Sequence, residues 1–107
     1  MPAAPEYAAP EAFSRTWLTP ATDIYSLGVL LFEAIAGRRP FAATPSQTWA
    51  AAHRREAPPE VRAFRPEASL EVGELLRRML AKDPLRRPGA EQTVRWLAEL
   101  EIEELAT

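Results

Sequence analysis

The chain has no cysteine, one histidine, one lysine and four glycines in 107 residues. Without cysteine there is no disulfide framework and no thiolate chemistry, which fits a reducing compartment. The lone histidine, His53, has no nucleophile or metal-ligand cluster beside it and reads as a residue of a short surface helix without a catalytic role. The glycines, Gly28, Gly37, Gly73 and Gly89, are too scattered to form a phosphate-cradling loop. Long apolar runs are also missing. The longest, Ile24 to Ala36, is 13 residues broken by Ser26 and Glu33, where a membrane span needs about 20. The opening Met1-Pro2-Ala3-Ala4-Pro5-Glu6 has neither a basic start nor an apolar stretch, so no signal peptide is expected. Membrane partners are not expected, and the expected location is the cytoplasm.

The formal net charge is −2, which argues against a general nucleic-acid binder. Twelve of the thirteen basic residues are arginines, spread in pairs at 38–39, 54–55, 77–78 and 86–87. Acidic residues gather near the end as Glu99, Glu101, Glu103 and Glu104, a solvated helix face. Apolar residues make up 47%, but 20 of them are alanine, leaving about 30 larger side chains for a core. One small domain of marginal stability is expected.

Prolines at 2, 5, 10 and 20 make the first 20 residues mostly loop, with one helical turn over Pro10–Phe13. A helix is predicted from about 21 to 36, capped by Thr19, opened by Pro20, favoured by Asp23 in its first turn and ended by Gly37. Leu27, Leu30, Leu31 and Ala34 cover one of its faces, and Ile24, Val29, Phe32 and Ile35 much of the rest. A helix apolar nearly all round is a central one and needs neighbours on every side. A short helix over 46–54 is predicted with Ser46 as its cap. Another runs from Ser69 to Ala81 with Val72, Leu75, Leu76 and Met79 on one stripe. After a proline-bounded turn over 82–89, a last helix covers about 90–105, with Val94, Leu97 and Ala98 facing in. The fold class is all-α with about four main helices.

Three segments, in order, carry a family resemblance. The first is Pro5-Glu6-Tyr7-Ala8-Ala9-Pro10-Glu11. The second is Asp23-Ile24-Tyr25-Ser26-Leu27-Gly28-Val29-Leu30-Leu31-Phe32-Glu33, followed by Gly37-Arg38-Arg39-Pro40-Phe41. The third is Leu80-Ala81-Lys82-Asp83-Pro84-Leu85-Arg86-Arg87-Pro88. Together they resemble the Ser/Thr protein kinases, in wording nearest to bacterial kinases of the eukaryotic type. The segments match the loop ending in Ala-Pro-Glu, the central helix of the C-lobe, and the turn between its last two helices. The resemblance spans residues 3 to about 98. It implies that 1–107 is a partial kinase domain, the helical C-lobe from the Ala-Pro-Glu motif to the last helix.

The resemblance assigns roles as well. Glu11 is expected to pair with Arg87, tethering the loop to the helices. Asp23 corresponds to the central-helix anchor that accepts hydrogen bonds from the catalytic loop; its alternative role is that of a first-turn acid. Leu30 matches a position that supports the side chains stacked beneath the nucleotide. Pro5, Glu6, Tyr7 and Ala8 fall where kinases form the pocket for the substrate residue after the phosphoacceptor, although Tyr7 equally suits a packed loop aromatic. Where the family usually carries Gly-Thr before Pro-x-Tyr, this chain has Ala3-Ala4, so the threonine that normally bonds the catalytic base is missing.

The family's Gly-rich loop, strand lysine, His-Arg-Asp loop and Asp-Phe-Gly segment are not in this sequence. The catalytic half is therefore expected to precede residue 1. No catalytic, cofactor-binding or metal-binding residue is expected on this chain, and ATP and Mg²⁺ belong to the complete family domain. The expected partners are a protein substrate or the missing half, with self-association through the helix over 21–36, part of whose apolar face is expected to be exposed. The alternative is a stand-alone helical binding module or relic without catalysis.

Overall fold

The computed structural model describes residues 4–14 and 18–106, with side chains through residue 100. Ala3 lies outside the described residues. Among the described residues five α-helices follow one another: α1 (Pro10–Phe13), α2 (Pro20–Ala36), α3 (Trp49–Arg55), α4 (Leu70–Met79) and α5 (Ala90–Ala106). Three 3-10 turns among the described residues accompany them: Pro5–Tyr7 before α1, Val61–Ala63 between α3 and α4, and Pro84–Arg86 between α4 and α5. Among the described residues extended pairing is limited to one bridge between Thr44 and Gln47, so the all-α expectation holds.

The 17-residue α2 is the axis. It packs against α4, α5 and all three 3-10 turns, while α1 and the first turn pack on α3. Its start follows from local chemistry. Proline costs no hydrogen bond at the first helical position, and the Thr22 hydroxyl accepts from the Thr19 backbone N–H at 3.1 Å. Its end follows from Gly37, whose φ of 78° is open to glycine at little cost and whose N–H bonds the Glu33 carbonyl at 2.9 Å. Midway, Gly28 brings α4 close. A Cβ there would lie 2.9 Å from Met79 Cβ and 3.2 Å from Leu80 Cδ2, so a larger residue would push the two helices apart.

The core gathers Ile24, Tyr25, Val29 and Phe32 of α2 with Leu75, Leu76, Met79 and Leu80 of and just beyond α4, plus Phe41, Ala52 and Val61. Each large side chain so buried contributes roughly 1.5–3 kcal/mol of transfer free energy. The stripe expected on α4 is the buried one, and Ser69 Oγ caps that helix by accepting from Val72 N–H at 3.1 Å.

Three expectations need correction, on α3, on α5 and at His53. The cap of α3 is Thr48, whose hydroxyl accepts from Ala51 N–H at 3.2 Å. Ser46 instead sits in the tight Thr44–Gln47 turn, its hydroxyl 3.3 Å from that of Thr44. On α5, Val94 is 67% exposed and Ala98 is exposed. Thr93, Trp96, Leu97 and Leu100 form the inward side, because Thr93 Oγ1 satisfies itself on the Gly89 carbonyl at 2.8 Å and can be buried. The helix over 21–36, by contrast, is exposed on one face as expected, the face carrying Leu27, Leu30 and Ala34 with Asp23 at its head. Only Leu31 of that expected face packs on the core. Finally, His53 lies on no surface: it is completely buried.

Candidate functional site

Loop 5–8 is fixed to the helices at three points. The first is an ion pair. Arg87 Nη1 donates to Glu11 Oε2 at 2.7 Å and Nη2 to Glu11 Oε1 at 2.9 Å. The remaining guanidinium protons reach the carbonyls of Ala81 (2.8 Å), Ala21 (2.9 Å) and Lys82 (3.2 Å). All five donors of a fully buried side chain are thus used, which is what keeping a guanidinium out of water requires. Thr22 Oγ1 also donates to Glu11 Oε2 at 2.9 Å. Burial pushes the Glu11 carboxyl up, but the bonds from Arg87, its own backbone and Thr22 together hold it below the ordinary value. The geometry brings together the pair that the sequence resemblance names, and Arg87 additionally ties α2 to the turn after α4.

The second point is Tyr7. Its hydroxyl donates to Glu33 Oε1 at 2.6 Å, and Arg39 bonds Glu33 Oε2 at 3.3 Å while lying 5.9 Å from the Tyr7 ring centre and 5.7 Å from that of Trp49. Tyr7 is therefore half-buried against the end of α2, while Ala8 and Ala9 are buried beneath it. Pro5 and Glu6 are half-exposed.

The third point is His53, which reading the sequence missed. Its Nε2 lies 3.1 Å from both the Pro5 and Glu6 carbonyl oxygens, and its Nδ1 lies 2.8 Å from the Tyr25 hydroxyl. Two carbonyls can only accept, so Nε2 carries the proton and Nδ1 accepts from Tyr25. The rings of Phe13, Tyr25, Phe41 and Trp49 surround it at 5.2–6.0 Å between centres. Burial, reinforced by the Lys82 charge, pushes its pKa down to about 4 despite the two carbonyls. The spacing of Trp49, Ala52 and His53 was the available signal, since positions i, i+3 and i+4 share one helix face.

Lys82 completes the cluster. Its Nζ is buried, lacks a hydrogen-bond partner among the described residues, and sits 4.2 Å from the centre of Phe41 and 5.9 Å from that of Tyr25. Burial brings its pKa down to about 8, with Glu56 opposing and Arg87 adding to the fall. Burial likewise pushes the Tyr25 phenol well up.

Asp23 is exposed in the first turn of α2, apart from this cluster. Among the described residues no group of three His, Cys, Asp or Glu side chains converges to hold an ion. The one lysine is turned into aromatic rings. Among the described residues this donor set does not fit a nucleoside triphosphate with its magnesium. No helix among the described residues is long and apolar enough to cross a membrane.

Residues 2–96 match the protein kinase domain family. The chain is 43% identical over 82 residues to a serine/threonine-protein kinase, drp72, of Corynebacterium efficiens, covering 77% of this chain and 15% of that protein. It is 40% identical over 82 residues to serine/threonine-protein kinase PknA of Mycobacterium tuberculosis, covering 77% and 18%. Among solved structures, titin kinase with its flanking domains superposes with a TM-score of 0.74 at 29% identity, covering 89% of this chain and 18% of that one. The chain belongs to the protein kinase family, and its helices match the C-terminal part of the helical lobe of a Ser/Thr kinase. It spans less than a fifth of the length of these curated relatives.

Proposed function

We propose that this chain is the substrate-docking and scaffold portion of a Ser/Thr kinase catalytic domain, and that it does not transfer phosphate by itself. The observation that carries this reading is the bracing of loop 5–8, whose flanks are held by Glu11–Arg87, Tyr7–Glu33 and His53. A loop that must present a fixed surface to an extended peptide needs such support, because a small misplacement costs much of the rate. Tyr7 and Ala8 would line the pocket for the residue after the phosphoacceptor, and Pro5 and Glu6 its edge.

Phosphoryl transfer also needs held phosphates, metal ions and a base at the acceptor hydroxyl. The described side chains do not fit those tasks, and on this reading ATP and Mg²⁺ belong to the complete domain. The partners on this reading are a protein substrate and the rest of the catalytic domain. The rest of the domain would cover the exposed α2 face of Leu27, Leu30 and Ala34, with Asp23 meeting the catalytic loop. The missing Gly-Thr before Pro5 weakens the contact to the catalytic base in any such assembly. The reading places the protein in the cytoplasm, where ATP is abundant.

Titration calorimetry tests the first part: the 107-residue chain should show no saturable binding of ATP–Mg²⁺, and a micromolar Kd would overturn the proposal. Adding a polypeptide that carries the Gly-rich loop, strand lysine, His-Arg-Asp and Asp-Phe-Gly segments should yield a complex with this chain.

A second reading, a stand-alone helical binding module, draws on the groove between α4 and α5, floored by Leu70, Leu75, Trp96 and Leu100. A monomeric chain that melts sharply and ignores the added polypeptide would favour it.

A further inference from the structure

We infer that His53 is the positioning residue of loop 5–8, clamping the carbonyls of Pro5 and Glu6 through a proton on Nε2 while Tyr25 fixes its other nitrogen. The inference deepens the docking reading and rests on it only for its consequence in peptide binding.

Three features argue for it. The contact is long-range, 48 and 47 residues from the two carbonyls, so it is made by the tertiary fold and not by local turn chemistry. It is directional: one nitrogen faces two acceptors and the other faces a hydroxyl, which leaves a single tautomer that satisfies every group. It is also charge-protected. The titratable and charged groups facing the ring are the Tyr25 hydroxyl from α2 and the Lys82 ammonium from the segment after α4. The first turn offers only its carbonyls, and α1, α3 and Phe41 offer only rings. Among the described residues no carboxylate faces the ring to stabilise an imidazolium, and Lys82 repels one. The ring thus stays neutral across the neutral range, its Nε2–H donating to the two carbonyls and its Nδ1 accepting from Tyr25. The Pro5 carbonyl also accepts from Ala8 N–H at 3.3 Å, and Tyr7 N–H bonds the Ala4 carbonyl at 3.0 Å. Holding that peptide plane holds the turn that presents Tyr7.

The chain has one histidine, so a long-range ¹H–¹⁵N spectrum reads His53 without assignment. The expected result is a neutral ring with its proton on Nε2 still present at pH 6, where a free histidine is more than half charged. An Nδ1-protonated ring, or an imidazolium at pH 6, overturns the inference. Amide exchange supplies the second arm. His53→Phe should speed exchange at Tyr7 and Ala8 at least tenfold while Val29 and Phe32 keep their protection. His53→Gln, whose amide can both donate and accept, should restore much of it. Equal exchange at Tyr7 and Ala8 in the wild-type and Phe chains overturns the inference. If the Phe chain unfolds as a whole, the tautomer and the Gln chain decide. Anisotropy with a labelled serine peptide, measured on the chain joined to its catalytic half, separates the two proposals. Faster loop exchange with unchanged peptide affinity retains His53 as the clamp and defeats the docking reading. Lost affinity with unchanged loop exchange defeats the clamp.

Discussion

Arg87 grips Glu11 with both terminal nitrogens, at 2.7 and 2.9 Å, across 76 residues of chain. Arg86, its neighbour, reaches Asp83 at 4.0 Å and is largely exposed. Truncating one partner of a buried pair strands the other charge and costs about 3–5 kcal/mol, while a change at an exposed pair stays within about 0.5 kcal/mol. Arg87→Ala should therefore lower the melting temperature by many degrees or prevent cooperative melting, and Arg86→Ala should leave it nearly unchanged. Equal melting temperatures for the two variants would refute the tether.

Acid should weaken the fold earlier than the carboxylates alone predict. His53 has its folded pKa depressed to about 4 from an ordinary 6.5. Between those values the unfolded chain binds more protons, so stability rises with pH there. The contribution is complete above about pH 6.5, falls as the pH drops towards 4, and amounts to roughly 3 kcal/mol by linkage. Glu11, also depressed, adds a further loss below its ordinary 4.5. Urea melts from pH 7.5 to 5 should show a steady decline that His53→Gln flattens. A wild-type profile flat over that window would mean that the histidine is not buried neutral.

The helices were legible because their ends are written in local chemistry. Thr19-Pro20, Gly37 and Ser69 each act through neighbours within four residues. The Glu11–Arg87 pair was legible only through the family resemblance, since no local rule joins residues 76 apart. The buried state of His53 was hidden by the brevity of α3, a seven-residue helix on which one polar ring looked like surface. The inward side of α5 was misplaced because Val94 outranks Thr93 on any apolar scale. The bond from Thr93 Oγ1 to the Gly89 carbonyl reverses that order. The carbonyls that occupy the rest of Arg87 depend on how the chain turns, and side-chain sequence does not encode them directly.

Lys82 is a cost that the fold carries. Its ammonium is buried without a hydrogen bond among the described residues, and burial brings its pKa down to about 8 from an ordinary 10.5. Here too the unfolded chain binds more protons between the two values, so stability should climb as pH rises from 8 to 10.5. Lys82→Met keeps the length and the contact with Phe41 while removing the buried charge. It should stabilise the chain by about 1–3 kcal/mol at pH 7. It should also raise the His53 pKa, because Lys82 is the charge that helps to depress it. A destabilised variant would show that attraction to the Phe41 ring outweighs desolvation.

The exposed face of α2 makes a claim about association. Leu30 is 52% exposed and Leu27 36%, and with Asp23 and Ala34 they follow helical spacing along the central helix of the fold. An axis helix that leaves leucines in water is short of a neighbour, and such a face is expected to find a partner or a second copy. The isolated chain should therefore elute in size exclusion with an apparent mass that grows with concentration. Leu27→Glu with Leu30→Glu should restore a monomer with little change in melting temperature, because both positions lie outside the core and glutamate is a good helix former. If the doubly substituted chain associates as before, the contact lies elsewhere, with the groove between α4 and α5 the next surface to alter. If the wild-type chain is a sharp monomer at every concentration, the face is tolerated in water and the case for a missing neighbour on α2 fails.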